Sequence, residues 1–193
     1  MTQQTKRIIA ILLIFCLSIG GGILINEIWT DIERRLYPVD YGEIITNASE
    51  EFDVPEYIIY ATVKVESDFD PDAVSTKGAL GLMQMMPSTF EWLTGDDHLD
   101  ENLSTRRLDD PEVSIRYGTY YLSYLYKKFN YNWDTAFAAY NAGEGNVTKW
   151  LSDEKYSDGN GGLSDIPYKE TKKYVKKIND AIENYKKLYP VNT

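Results

Sequence analysis

Two hydrophobic patterns divide the chain. Ile8 to Ile25 is an almost unbroken apolar run, whereas from Tyr41 onward apolar residues recur at helical spacing between polar neighbours. The 18 residues of the first run are just enough for a helix to cross a bilayer. Lys6-Arg7 ahead of it favour a cytoplasmic N-terminus, a preference that Arg34-Arg35 beyond it weaken. Two readings stand. One is an uncleaved signal-anchor helix; the other is a cleaved signal peptide, with Ile8–Leu17 as its apolar core and small Ser18 and Gly20 for cleavage. The continuation Ile23-Leu24-Ile25 favours the anchor. Either way the rest of the chain is expected outside the cytoplasm. Bulky Phe15 argues against lipid attachment at Cys16.

Residues 1–25 thus read as cytoplasmic tail and anchor, 26–40 as a connector ending near Pro38, and 41–193 as the folded domain. Ile44, Ile45 and Ala48 form a short amphipathic segment. Pro55 suits a first helical turn with Asp53 nearby as its cap, and the pattern predicts that this helix ends at about Ser67. Residues 68–81 read as a loop or small hairpin. Pro87 and Pro111 open two further helices, the second carrying Val113, Tyr117, Tyr120, Tyr121, Tyr124 and Leu125 on its apolar face. A short apolar segment, Thr135–Tyr140, and a helix over Asn146–Leu151 precede a Gly/Ser/Asp loop. Tyr168–Leu188 closes the chain with Tyr174, Val175, Ile178, Ile182 and Tyr185 on one face. The expected fold is all-α, a helical domain with at most a small β-hairpin, preceded by one N-terminal transmembrane or signal-anchor helix.

Composition narrows the function. A formal charge of −10 leaves no basic stripe for nucleic acid, so nucleic-acid binding is not expected. Cys16 is the only cysteine and His98 the only histidine, which excludes an internal disulfide, a Cys/His metal cluster and a histidine-based triad. His98, in the polar stretch Gly95-Asp96-Asp97-His98, reads as a surface residue. Sixteen tyrosines against six phenylalanines suit a wet groove, because a phenol packs its ring and hydrogen-bonds at its tip.

Three strings carry candidate chemistry. Glu66 ends the apolar helix Tyr57–Val65. Apolar neighbours disfavour its charged form, as a general acid requires, although a solvated helix-end glutamate has the same local sequence. In Ser75-Thr76-Lys77-Gly78-Ala79-Leu80-Gly81-Leu82-Met83-Gln84-Met85-Met86-Pro87, a Met-rich core explains the methionines but leaves Gln84. A buried amide needs partners, which sugar hydroxyl or N-acetyl groups could be. Ala138-Ala139-Tyr140-Asn141-Ala142-Gly143 reads as a helix end, with Gly143 in a left-handed cap and Tyr140 free to face a groove.

Together these strings resemble the soluble-lytic-transglycosylase (SLT) family, related in fold to goose-type lysozymes. Ile166-Pro167-Tyr168-Lys169-Glu170-Thr171, with Tyr174-Val175, adds a fourth match, and Asp110-Pro111 and Gly118–Leu122 fit the family's middle helix. The similarity runs in order over about residues 50 to 180. It implies a lysozyme-like helical domain with Glu66 as the catalytic residue. It further implies Ser75, Gln84, Met86, Tyr140 and Glu170 along the substrate groove, with Asn141 and Tyr174 as weaker candidates. Lys172-Lys173 where Arg-Asn is common, and Ser114 where Asn is common, are departures that leave the acid untouched. The implied substrate is the glycan strand of peptidoglycan, cut between N-acetylmuramic acid and N-acetylglucosamine with no cofactor and no metal. Glu66 would act as acid and then as base, the muramic 6-hydroxyl closing on C1 to leave a 1,6-anhydro end. Two other readings remain. A lysozyme-type hydrolase would need a second carboxylate, and Asp68 and Asp70 are the nearest in sequence, both in loop. A non-catalytic glycan-binding scaffold would have no use for an intact acid.

Overall fold

The computed structural model describes residues 2–95, 98–99, 101 and 103–190; at 6, 8–14, 16 and 17 it describes backbone alone. Contacts divide the chain into two compact units, one ending at Pro38 and one beginning at Val39.

The first unit is a single helix, α1 (Gln3–Leu36). Its 34 residues span about 51 Å at 1.5 Å each. The helix therefore runs through most of the stretch expected to be a connector. Among the described residues, no helix is long and apolar enough to cross a membrane. Much of the run Ile8–Ile25 lies outside the described side chains.

The second unit holds α2 (Gly42–Phe52), α3 (Glu56–Glu66), α4 (Pro87–Leu93), a 3-10 turn (Thr105–Asp109), α5 (Pro111–Lys128), α6 (Trp133–Ala142), α7 (Glu144–Leu151) and α8 (Lys169–Leu188). Among the described residues there is no strand. Residues 68–81, read as a loop or small hairpin, are a loop with single bridges, Val74 with Leu80 and Leu80 with Met85.

Local chemistry explains the boundaries. Pro111 stands at the first turn of α5, and Asp110 caps it by accepting from the Glu112 amide at 3.0 Å. Pro87 likewise stands at the first turn of α4, which has no side-chain cap. Asp53 does not cap α3. It adopts the left-handed conformation (φ 56°) that ends α2, and α3 starts after Pro55 without a side-chain cap. Gly143 closes α6 at φ 86° and ψ 140°, a glycine conformation outside the left-handed helical region expected for it.

α5 runs through the centre and packs against α2, α3, α4 and α6, while α8 lies on α3 and α6. The buried face of α8 reads Thr171, Tyr174, Val175, Ile178, Ala181, Tyr185 and Leu188, the three-four spacing of one helical stripe. Ile178 is fully buried, a contribution of about 1.5–3 kcal/mol for a side chain of its size. This packing fixes the first turns of α8 against the last turn of α3.

His98 is half-buried rather than a surface residue. Its Nδ1 lies 3.0 Å from the Tyr120 hydroxyl, and its ring stands edge-on to Trp92 at 4.1 Å. The neighbouring rings of Trp92, Tyr120 and Tyr124 offer more apolar surface than the adjacent aspartates suggest.

Candidate active site

Glu66 is the last residue of α3. The next residue fastens that helix end: Ser67 Oγ donates to the Leu82 carbonyl at 2.8 Å. On the other side, the Tyr174 hydroxyl on α8 donates to Glu66 Oε1 at 2.6 Å. Among the described residues Oε2 accepts no hydrogen bond, which leaves it for a ligand. Burial raises the Glu66 carboxyl from 4.5 to about 7, and the Tyr174 hydrogen bond pulls against that rise. Near neutral pH its protonated form is therefore populated, unlike that of an ordinary glutamate. The Tyr174 and Tyr140 phenols are both held well above their ordinary value, first by burial and then by the nearby Glu66 charge.

The loop before α4 is fixed by glycines. At Gly81 (φ 72°) a Cβ would stand 1.9 Å from the Leu108 carbonyl oxygen, and at Gly118 on α5 a Cβ would stand 2.4 Å from Met83 Sδ. The Met83 amide donates to Ser114 Oγ at 3.2 Å, so the serine found where asparagine is common still holds this backbone. Leu82, Met83 and Met85 point into the core, while Met86 is 39% exposed. The methionine-rich core is thus real for two of the three methionines in 83–86, and the third turns to the surface.

All eight residues expected at the site meet here. Glu66, Ser75, Gln84, Met86, Tyr140, Asn141 and Glu170 line one cleft of about 250 Å³, partly open to solvent, and Tyr174 touches Glu66. A second hollow continues it past Gln84, Met86, Tyr140 and Asn141 to Thr89, Tyr121 and Gly143.

Several of the eight are also occupied structurally. Gln84 Nε2 donates to the carbonyls of Ala73 and Gly81, each at 2.9 Å, so its amide hydrogens are already satisfied and only Oε1 remains for a ligand. The expectation that a sugar satisfies this amide therefore holds at most for its oxygen. The Tyr140 hydroxyl donates to the Met83 carbonyl at 2.8 Å, and its ring packs 5.4 Å from that of Tyr121. Asn141 Oδ1 accepts from the Thr171 hydroxyl at 2.9 Å, tying α6 to α8. Ser75 Oγ accepts from the Ala79 amide at 2.9 Å.

Tyr174, a weaker candidate by sequence, lies 108 residues from Glu66, and the packing of α8 on α3 brings them together. Thr76 and Lys77, which no sequence signal marks as site residues, also line the cleft. Asp68 and Asp70 are not in it. Asp68 pairs with Lys64, and Asp70 Oδ1 accepts from the Asp72 amide at 3.0 Å. Glu170 is the one other carboxylate on this wall among the described residues. No group of side chains suited to a metal ion occurs among the described residues.

The chain is similar to known proteins. The soluble lytic murein transglycosylase of Salmonella typhimurium is 34% identical over 79% of this chain and 24% of its own length. The membrane-bound lytic murein transglycosylase C of Edwardsiella ictaluri is 31% identical over 86% of this chain and 51% of its own. The crystal structure of the 70-kDa soluble lytic transglycosylase of Escherichia coli superposes with a TM-score of 0.75 at 32% identity, covering 85% of this chain and 26% of that one. The chain thus spans about a quarter to a half of the length of these relatives. Residues 43–161 match the family described as the Transglycosylase SLT domain, to which this chain belongs.

Proposed function

We propose that the chain is a peptidoglycan lytic transglycosylase that cleaves the β-1,4 bond between N-acetylmuramic acid and N-acetylglucosamine. The observation that carries this reading is Glu66: a carboxyl raised to about 7, clamped through one oxygen by Tyr174, with the other free in a cleft. Such a group is protonated often enough to donate to a leaving oxygen and basic enough to recover a proton afterwards. Glu66 protonates the glycosidic oxygen as the C1–O bond breaks. It then takes the proton of the muramic 6-hydroxyl as that oxygen bonds to C1. The product is a 1,6-anhydro end, and no water is consumed. The attacking hydroxyl is tethered to the substrate, so its effective concentration is high. Ser75, Gln84 through Oε1, Met86, Tyr140 and Glu170 line the path of the strand, with Asn141 holding its wall in place. No cofactor enters the scheme.

Glu170 gives the hydrolase reading its one specific foothold, since it lies in the same cleft. Mass analysis of products from purified peptidoglycan separates the two. Anhydro ends support transfer to the 6-hydroxyl; reducing ends, heavier by one water, refute it. Glu66→Gln should fold and lose nearly all lytic activity, and a folded variant with near-normal activity removes Glu66 from this role.

We also propose that α1 tethers the domain to the membrane through residues 8–25, with the domain beginning near residue 41 on the cell-wall side. The apolar run Ile8–Ile25 supports this, as does similarity to a membrane-bound relative. Residues 26–40 then act as a helical spacer as far as Leu36.

A further inference from the structure

Lys77 stands at the tip of a tight turn. The base of that turn is closed twice at Ser75, whose amide donates to the Ala79 carbonyl at 2.9 Å and whose Oγ accepts from the Ala79 amide at 2.9 Å. Gly78, at φ 85°, lets the chain reverse there. Across the cleft, Glu170 lies in the first turn of α8, where the helix dipole favours a negative charge. Lys77 Nζ reaches Glu170 Oε1 at 3.2 Å, with the two side chains 73% and 72% exposed. A pair so open to water contributes little and opens readily. Lys77 is also the only cation lining this cleft among the described residues, in a chain whose net charge is −10. An anionic group entering the cleft thus meets one attractive charge, already occupied by a carboxylate of the protein.

We infer that Lys77 selects strands by a carboxylate of the substrate, and that Glu170 holds its place until that carboxylate arrives. The inference rests on the glycan-cleaving reading above. Peptidoglycan offers such a group from two sources: the lactyl carboxylate of muramic acid in strands stripped of peptide, and the carboxylates of the stem peptides. Either would take the position of Glu170 Oε1 on the ammonium. The two members of the pair then act in opposite directions. Removing Lys77 weakens a carboxylate ligand, whereas removing the Glu170 charge frees Lys77 and strengthens it. A pair that served only to strap the cleft together would respond alike from either side.

The test is calorimetric binding to the full chain carrying Glu66→Gln, so that strands stay intact. Three ligands are compared: a stripped strand with free lactyl carboxylates, the same strand with those groups converted to primary amides, and a strand bearing stem peptides. The readout is affinity relative to the amidated strand, in which contacts to sugar hydroxyls cancel. Lys77→Met should lower this ratio about three- to fivefold, as loss of a solvent-exposed charge contact allows, and Glu170→Gln should raise it. Added salt should bring the ratio toward one. A Lys77-dependent ratio for the stripped strand assigns the lactyl carboxylate; dependence for the peptide-bearing strand alone assigns the stem. A ratio unchanged by Lys77→Met, or lowered equally by both variants, overturns the inference while the glycan reading stands. If no strand binds, both fall together.

Discussion

Replacing Glu66 by glutamine should stabilise the fold, and by an amount that depends on pH. Burial raises this carboxyl from 4.5 to about 7, so its ionised form is worse placed in the folded state than in the unfolded chain. The unfolded chain releases the proton first as pH rises through 4.5; the folded protein releases it only near 7. Between these values the native protein holds more protons, and its stability falls as pH rises. Above 7 the deficit is constant. At about 1.4 kcal/mol per tenfold in proton affinity, that interval amounts to about 3 kcal/mol. A glutamine there cannot ionise, and its amide oxygen can still accept from the Tyr174 hydroxyl, so the variant escapes the deficit. Thermal melts of the two proteins should differ by less than about 1 kcal/mol at pH 5 and by about 3 kcal/mol at pH 8.5. For a domain of this size, the larger gap is roughly 6–12 °C in Tm. Every other titrating group is shared by the pair and cancels in the difference. A gap that is flat with pH, or that favours the native protein at pH 8.5, would show that Glu66 titrates like an exposed glutamate. The physical case for it as an acid near neutrality would then be gone.

Three other changes test neighbouring parts of the molecule. Tyr174→Phe removes the hydrogen bond that lowers the Glu66 pKa, so the alkaline limb of the pH–rate profile should move to higher pH, with kcat reduced about three- to tenfold; an unmoved limb would refute the coupling. Gly81→Ala must place a methyl 1.9 Å from the Leu108 carbonyl oxygen at positive φ, so chemical denaturation should show a loss of about 2–5 kcal/mol, and a neutral result would mean the loop is built differently. A fragment beginning at residue 41 should be soluble, folded and lytic while the full chain sediments with membranes; an insoluble or inactive fragment would place part of the core within residues 1–40.

Local signals in the sequence carried much of this architecture. Pro87 and Pro111 mark helix starts because proline fixes its own backbone and needs no donor there, and both helices begin at those residues. Glu66 is legible as a polar end on an apolar helix, and the resemblance to the SLT family, not any local signal, implies that Ser75, Gln84, Tyr140 and Glu170 share a groove. What stayed hidden depends on partners remote in sequence. Gln84 looks like an amide in want of a ligand until the loop folds and the Ala73 and Gly81 carbonyls take its hydrogens. Asp53 has the composition of a cap, but its backbone is needed to end α2. His98 sits among aspartates in sequence and among aromatic rings in space. Tyr174 gained its importance only once α8 lay against α3.

The 108-residue separation of Glu66 and Tyr174 also sets a clock on the proposed activity. During synthesis the acid appears early, and the helix that clamps it and closes the far wall appears much later. At about 5–20 residues per second, roughly 5–20 s separate the two. A nascent chain that has not reached α8 therefore carries its glutamate in water, where the carboxyl is an ordinary ionised group with no proton to give at neutral pH. Under the proposed function, the chain stays unable to cut a glycan strand until that late helix is made.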